Sequence, residues 1–240
     1  MGKRILIAAP INEQEKIFKE YLNSLNSLKI PSNYTIDKFF ILPKMSNLSS
    51  FLNPNEYIYE NNNFTIENKY NWNKEKLYNI AILRTLILEK ARKEKYDYLF
   101  TVDSDVILHP NTLKYLLNLN LPIVTELVWT KILSNITALD GKYEGGQLFK
   151  DKNYTIPGLY EINWGGIITL IHSSIFNINT INYYPIKEVI GEYNDNWSLF
   201  CKIYCHFPEL KVYMDTTYPG RHLNSNETYE RWIKERKIDE

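Results

Sequence analysis

Two aspartates, Asp103 and Asp105, stand one residue apart at the end of the apolar run Tyr98-Leu99-Phe100-Thr101-Val102. Aromatic and β-branched runs of this kind form buried strands. On extended backbone, side chains at i and i+2 point to the same side, so both carboxylates face one way with only Ser104 between them. Like charges side by side at the end of a core strand repel unless a cation joins them. A divalent ion held by one or two carboxylates, and also gripping substrate phosphates, is the usual magnesium-type arrangement. The plainer reading is an acidic strand-to-helix loop in which one Asp caps the next helix. A second charged residue is out of place as well. Arg84 lies on the apolar stripe of a helix predicted over about 73–93, among Leu77, Ile80, Ala81, Ile87, Leu88 and Ala91. A guanidinium there needs an anion, either a core carboxylate or a phosphate, which Arg recognises well.

The elements that position these residues alternate. Arg4 to Ala9 reads as a strand stopped by Pro10. Asn12 and Glu15 then look like an N-cap and its capping-box partner, opening a helix with the stripe Ile17, Tyr21, Leu25 and Leu28. Tyr34 to Leu42 reads as a strand, residues 43–63 as a loop rich in Asn, Ser and Pro, and Phe64 to Glu67 as a short strand. After the long helix and the acidic strand, Pro110 suits the first turn of a helix to about Leu119, followed by a strand from Pro122 to Trp129. Residues 130–160 carry Gly145-Gly146 and read as loop or hairpin, and Trp164-Gly165-Gly166 leads into a strand from Ile167 to Ile171. The two glycines allow something to approach the backbone closely, or simply make a turn. Asp195 to Phe207 is amphipathic, with Trp197, Phe200, Cys201 and Tyr204 on one side and Asp195 at the N-cap. Leu210 to Met214 is the last predicted strand, and Glu227 to Lys237 a charged terminal helix. Alternating strands and helices indicate an α/β fold, a mostly parallel central sheet with helices on both faces. Ligands of such sheets sit at the carboxyl ends of the strands, where Pro10, Asp103 and Asp105 all fall.

Bulk composition narrows the classes. The chain has 240 residues, 44% hydrophobic and 23% charged, enough for a full core. Lys+Arg 28 balances Asp+Glu 28, so no global field favours nucleic acid, and none is expected as a partner. No stretch approaches the roughly 20 apolar residues of a membrane span. The start, Met1-Gly2-Lys3-Arg4, reads as the lead into a first strand and not as a signal peptide. Cys201 and Cys205, four apart on a predicted helix, are poorly spaced for a disulfide and are expected as reduced core thiols of a cytoplasmic protein. The 19 tyrosines and 5 tryptophans could stack on sugars or bases, but an AT-rich genome, whose codons favour Asn, Lys, Ile and Tyr, is the plainer account.

In order and spacing these pieces resemble a GT-A glycosyltransferase, close in pattern to glycosyltransferase family 2 and its relatives. The match is carried by Ala8-Ala9-Pro10 with its following helix, and by Arg84 followed by Tyr96-Asp97-Tyr98-Leu99-Phe100 and Asp103-Ser104-Asp105. Trp164-Gly165-Gly166-Ile167, Gly191-Glu192-Tyr193-Asn194-Asp195 and, after the last strand, Gly220-Arg221-His222 complete it. The resemblance covers about residues 3–223 and implies transfer of a sugar from a nucleoside-diphosphate sugar, UDP- or GDP-linked, to a hydroxyl of a glycan, protein or lipid-linked acceptor. It implies Mn2+ or Mg2+ on Asp103, Asp105 and His222. Donor contacts would come from Ala9, Pro10, Asn12, Glu13, Arg84, Asp103 and Ser104, and acceptor contacts from Trp164, Gly165 and Gly166. An inverting reaction would use Asp195, or second to it Glu192, as the base. Tyr193 stands where many relatives carry another acid.

The resemblance also divides the chain as one domain, with a nucleotide-binding half to about residue 107, an acceptor half from 108 to 223 and a helical tail. A retaining transferase, a nucleotidyltransferase and a non-catalytic nucleotide-sugar or carbohydrate-binding module stay open beside it. Ala9-Pro10-Ile11-Asn12-Glu13 lacks the glycine- and basic-rich loop that a nucleotidyltransferase would use to cradle a triphosphate. His109, His172 and His206 have no partners at ligand spacing and are expected to be structural or exposed.

Overall fold

Most of the β-branched and aromatic runs among the described residues enter one sheet, and Ala138-Leu139 pairs with Trp164-Gly165 in a small second one. The computed structural model describes residues 2–44, 46–60, 74–129, 138–139, 156–186, 195–223 and 225–239. Its first half comprises β1 (Lys3–Pro10), α1 (Glu15–Asn26), β2 (Tyr34–Pro43), a 3-10 turn (Asn47–Phe51), β3 (Tyr57–Glu60), α2 (Lys74–Lys93), β4 (Tyr98–Val102) and β5 (Val106–Ile107). Then come α3 (Thr112–Asn118), β6 (Ile123–Trp129), β7 (Ala138–Leu139), β8 (Leu159–Ile162), β9 (Trp164–Gly165), β10 (Ile168–His172) and α4 (Ser173–Phe176). The chain closes with α5 (Asp195–His206), β11 (Val212–His222) and α6 (Asn226–Asp239).

Nine strands share the main sheet in the order β3-β2-β1-β4-β10-β6-β11-β5, with β8 also on β11. Strands β1, β2, β3, β4, β6 and β11 run one way and β10, β5 and β8 the other. The sheet is therefore mostly parallel, as the alternating pattern requires. Side-chain alternation splits the core in two. Leu6, Ala8 and Leu99 pack against α2, α4 and α5 on one face, while Ile5, Ile7, Phe100 and Val102 meet α1 and α3 on the other. Every residue of the α1 stripe is buried.

Several expectations shift. The residue preceding α1 in the cap position is Gln14, and it makes no side-chain cap bond. Asn12 and Glu13 are instead held at the strand ends, where Ile11 N–H donates to Ile41 O (2.8 Å) and Glu13 is buried. The last strand runs on past Met214 to His222 through an irregularity between Asp215 and Gly220. Leu210 itself lies outside it. Gly220 makes that continuation possible: a Cβ there would sit 2.6 Å from Ile168 Cδ1 and 3.0 Å from Val106 Cγ1. Cys201 and Cys205 are free thiols as expected, but Cys205 is exposed and not in the core. The aromatic side of α5 is likewise displaced: Phe200 is buried with Leu199 and Ile203, whereas Trp197, Cys201 and Tyr204 are only half-buried. The expected strand Phe64 to Glu67, the Gly145-Gly146 pair and Glu192 lie outside the described residues. No helix among the described residues is long and apolar enough to cross a membrane.

Candidate functional site

The acidic pair sits where β4 ends beside its parallel neighbour β1 (Ala8 opposite Thr101). The buried Tyr21 hydroxyl donates to Val102 O at 3.1 Å, pinning the last residue of β4 from below. Beyond it the chain turns sharply: Asp103 N–H donates to Ile167 O (2.9 Å) and Val106 N–H to Asp103 O (3.1 Å). Ser104, between the acids, donates its hydroxyl to the buried carboxylate of Glu13 at 3.1 Å. The turn leads into β5, whose antiparallel pairing with β11 sets His222 opposite Val106. Leu223 N–H then donates to Asp105 O (2.7 Å). Together these contacts place His222 Nε2 3.0 Å from Asp105 Oδ2, with both side chains largely buried.

Arg84 finds its anions inside the protein. Its guanidinium spans two carboxylates, Nη1 to Asp195 Oδ2 at 2.7 Å and Nη2 to Asp103 Oδ1 at 2.6 Å. Burial opposes the guanidinium charge, but Asp103 and Asp195 more than offset it and hold Arg84 above its ordinary pKa. Burial raises Asp103, against the pull of Arg84, with the Asp105 charge adding to the rise. Of the two anions expected for Arg84, carboxylate and phosphate, the carboxylates are present: the end of β4 brings Asp103 and the start of α5 brings Asp195 to either side of it. A buried guanidinium shared by two anions, of which Asp195 is itself buried, cannot be removed cheaply.

Asp195 is the first residue of α5 and is buried. The glycines expected to line an acceptor pocket explain how that helix end gets so close. A Cβ on Gly166 would lie 2.2 Å from Asn196 Nδ2, and one on Gly165 2.7 Å from Thr125 Cγ2. The close approach is therefore made by the chain's own α5 and β6. Trp164, by contrast, is half-buried in β9, facing a cavity. Ala9, expected among the donor contacts, is 1% exposed and packs in the core. Pro10 ends β1, and Asn12 is half-buried beside it. The other histidines are structural: His109 stacks on Tyr218, His172 caps α4 and His206 bonds Thr180.

The side chains that converge here offer one carboxylate and one imidazole. Asp105 and His222 converge, and among the described residues no group of three His, Cys, Asp or Glu side chains gathers in one metal-holding cluster. Ions of the magnesium type take one or two carboxylates and leave other positions to water and substrate phosphates, which two protein donors permit.

Three residues near the site carried no motif. Tyr183, 2% exposed, lies with its ring 6.0 Å from the Arg84 guanidinium, and its N–H donates to Thr85 Oγ1. Glu126 and Asp215 are register partners on β6 and β11, at 1% and 0% exposure. Asp215 accepts the Thr217 amide and hydroxyl, while burial, then the Asp215 charge, pushes Glu126 up to about 10.

Residues 20–139 match the family model described as "Glycosyltransferase family 25, N-terminal domain". No individual curated protein matches the chain. In fold, the chain is similar to the crystal structure of A197 from STIV, with a TM-score of 0.50 at 13% identity over 94% of this chain and 87% of that one. It is also similar to S. aureus TarS 1–349, with a TM-score of 0.53 at 13% identity over 95% of this chain; there it spans 62% of the compared chain. At such identity these two structures share the architecture alone. With half its length matched by the family model and the mostly parallel sheet in place, the chain belongs to glycosyltransferase family 25 and is a GT-A-like glycosyltransferase.

Proposed function

We propose that the protein transfers a sugar from a UDP- or GDP-linked donor to an acceptor hydroxyl with inversion at the anomeric carbon, using Mn2+ or Mg2+. One observation carries this reading: three stretches of backbone, the turn with Asp103 and Asp105, the end of β11 with His222 and the start of α5 with Asp195, meet at the carboxyl end of β4, linked by Arg84 and the Asp105–His222 contact. Ligands of open α/β sheets lie in that place. Asp105 and His222, with Asp103 beside them, would hold the cation; an imidazole in the set suits manganese better than magnesium. Bound there, the ion supplies charge neutralisation for the departing diphosphate.

The rest falls to the chain's own side chains. Asp195 is the base that accepts the proton of the acceptor hydroxyl. Arg84 holds its carboxylate in one rotamer by a bond to Oδ2, which leaves Oδ1 for the acceptor. Because one guanidinium serves two carboxylates, the trio keeps a net negative charge. Glu13 fixes Ser104, and through it the turn that aims both aspartates. Pro10, Asn12 and Glu13 border the place of the nucleotide.

The test is release of UDP or GDP from a panel of nucleotide sugars with Mn2+, together with the melting shift that each nucleoside diphosphate gives with and without the metal. We expect metal and nucleoside diphosphate together to raise the melting temperature more than either alone, and Asp105→Ala to abolish release. Turnover that survives Asp105→Ala unchanged would overturn the reading. The anomeric configuration of the product, read by NMR, decides between inversion and retention.

A further inference from the structure

We infer that the cavity between α5 and the β8–β11 edge is a carbohydrate-binding subsite, so that the acceptor is a neutral oligosaccharide and not a single sugar; this deepens the transferase reading above and rests on it. The cavity measures about 530 Å³, inside the range of about 300–1,000 Å³ typical of small-molecule sites. Its walls carry the aromatic stripe of α5 that the amphipathic pattern would have sent to the core. Trp197, Tyr204 and the buried Phe200 of α5 line the cavity together with Trp164 of β9. Tyr204 is fixed by its hydroxyl, which donates to Asn163 O at 2.7 Å. Half-exposed rings around a void are costly to leave in water, and their amphipathic faces suit a ligand that is apolar on one side and wet on the other.

The mouth selects among such ligands. It carries Glu161, Asn163, Glu209 and Lys211. Lys211, the one cationic side chain among these lining residues, is already paired with Glu161 at 3.0 Å, which makes the rim a poor match for a phosphate. Carboxylates and an amide above aromatic faces match a pyranose: ring hydroxyls accept and donate at the rim while the C–H face covers a Trp or Tyr ring. An all-apolar ligand would leave the rim groups desolvated and unpaired. The location fits a chain of sugars that continues into the reaction centre. Trp197 lies two residues after Asp195 on α5, and Trp164 immediately precedes the Gly165-Gly166 pair whose second glycine abuts Asn196. Trp197 and Asp195 leave α5 on different sides, but both stand in its first turn, so the cavity begins within one helical turn of the base.

The experiment is an array of neutral homo-oligosaccharides (glucan, chitin, mannan and galactan series, from monosaccharide upward) probed with labelled wild type, Trp197→Ala, Glu161→Gln and Asp195→Asn. We expect at least one series to bind wild type more tightly as it lengthens. Trp197→Ala should weaken that binding by about tenfold or more, Glu161→Gln by a smaller factor, and Asp195→Asn should leave it intact. Absence of binding to every series, or equal binding by wild type and both cavity variants, overturns the inference. Should Trp197→Ala melt early, Glu161→Gln decides alone, since its side chain is exposed at the rim. Nucleoside diphosphate release by wild type is measured in parallel: its loss would sink the transferase reading, while its presence without array binding would sink only the subsite.

Discussion

Two clusters of buried carboxylates occupy the same sheet and are stabilised in opposite ways. At the strand ends, Asp103 and Asp195 share Arg84, and Asp105 meets His222. Inside the sheet, Glu126 and Asp215 face each other on β6 and β11, and the charge is relieved by a proton that burial keeps on Glu126. Asp105 and Asp195 in the first set are buried, as the second pair is, so burial alone does not separate them. The difference lies in the countercharge. A cluster that carries its own cation, Arg84, keeps several anions poised near a ligand, whereas a pair without one must give up an ionisation. The first arrangement suits a site built to meet a metal and a diphosphate. The second is internal framework, lying under the irregular stretch of β11 that leads to His222.

The sharpest contrast is chemical. Asp195→Asn should lower turnover by roughly 10²–10⁴ while the melting temperature stays near that of wild type, because the amide oxygen of the substituted side chain can still accept from Arg84. Glu126→Gln, made in the other cluster, should leave turnover at neutral pH unchanged. Equal losses in the two variants would dissolve the distinction between the clusters.

Removing the countercharge comes next. Arg84→Met strands Asp103 and Asp195 together in a buried space, and loss of one partner from a buried ion cluster costs about 3–5 kcal/mol. Urea denaturation measures it. Arg84→Lys should recover only part of this, since an ammonium cannot bridge two carboxylates in the planar fork that Nη1 and Nη2 provide.

The inner pair answers to pH. Glu126 has an ordinary pKa of 4.5 in the unfolded chain and is raised to about 10 when folded. Between those values the unfolded chain has released a proton that the folded protein retains. Its contribution to stability is therefore fully present below the lower value and declines as pH rises through the window, by at most ~1.4 kcal/mol per pH unit. Unfolding midpoints of wild type should fall from mildly acidic to mildly alkaline pH, and Glu126→Gln should flatten that slope. A wild-type slope that Glu126→Gln leaves untouched would place the proton elsewhere.

The smallest effect concerns the strand that joins the two clusters. Gly220→Ala forces a methyl to within 2.6 Å of Ile168 Cδ1, and overpacking of this kind costs about 1–3 kcal/mol. Ile168→Val beside it should restore part of the loss. Because Gly220 sits two residues before His222, the single variant should also weaken the melting shift given by Mn2+ with a nucleoside diphosphate, and the double variant should recover it.

Much of this was readable along the chain, and the limits have definite causes. The acids after Val102 announced themselves because a buried strand reports its own end: alternation and composition are local properties. Arg84 was conspicuous for the same reason, a charge on an apolar stripe, yet its partners could not be read, since Asp195 lies 111 residues away. Gly165 and Gly166 signalled a close approach without saying of what; the answer, Thr125 and Asn196, depends on β6 and α5 being brought beside β9. Asn12 had the right type and spacing for a cap, but Ile11 bonds to β2 and Glu13 to Ser104, which holds this stretch to the sheet. Glu126 and Asp215 gave no signal, because each looks like an ordinary strand carboxylate until the sheet order pairs them.

Taken alone, the order of residues determined the alternating α/β architecture, the placement of Asp103 and Asp105 at a strand end, and the anomaly of Arg84. These properties come from backbone periodicity, which acts over a few residues. Only the tertiary structure decided that β5 would pair with the end of β11 and so set His222 against Asp105, that one arginine would hold both Asp103 and Asp195, and that the aromatic side of α5 would border a cavity. Those outcomes depend on which strands become neighbours, and that choice is made by the burial of the whole core, over distances that no local pattern encodes.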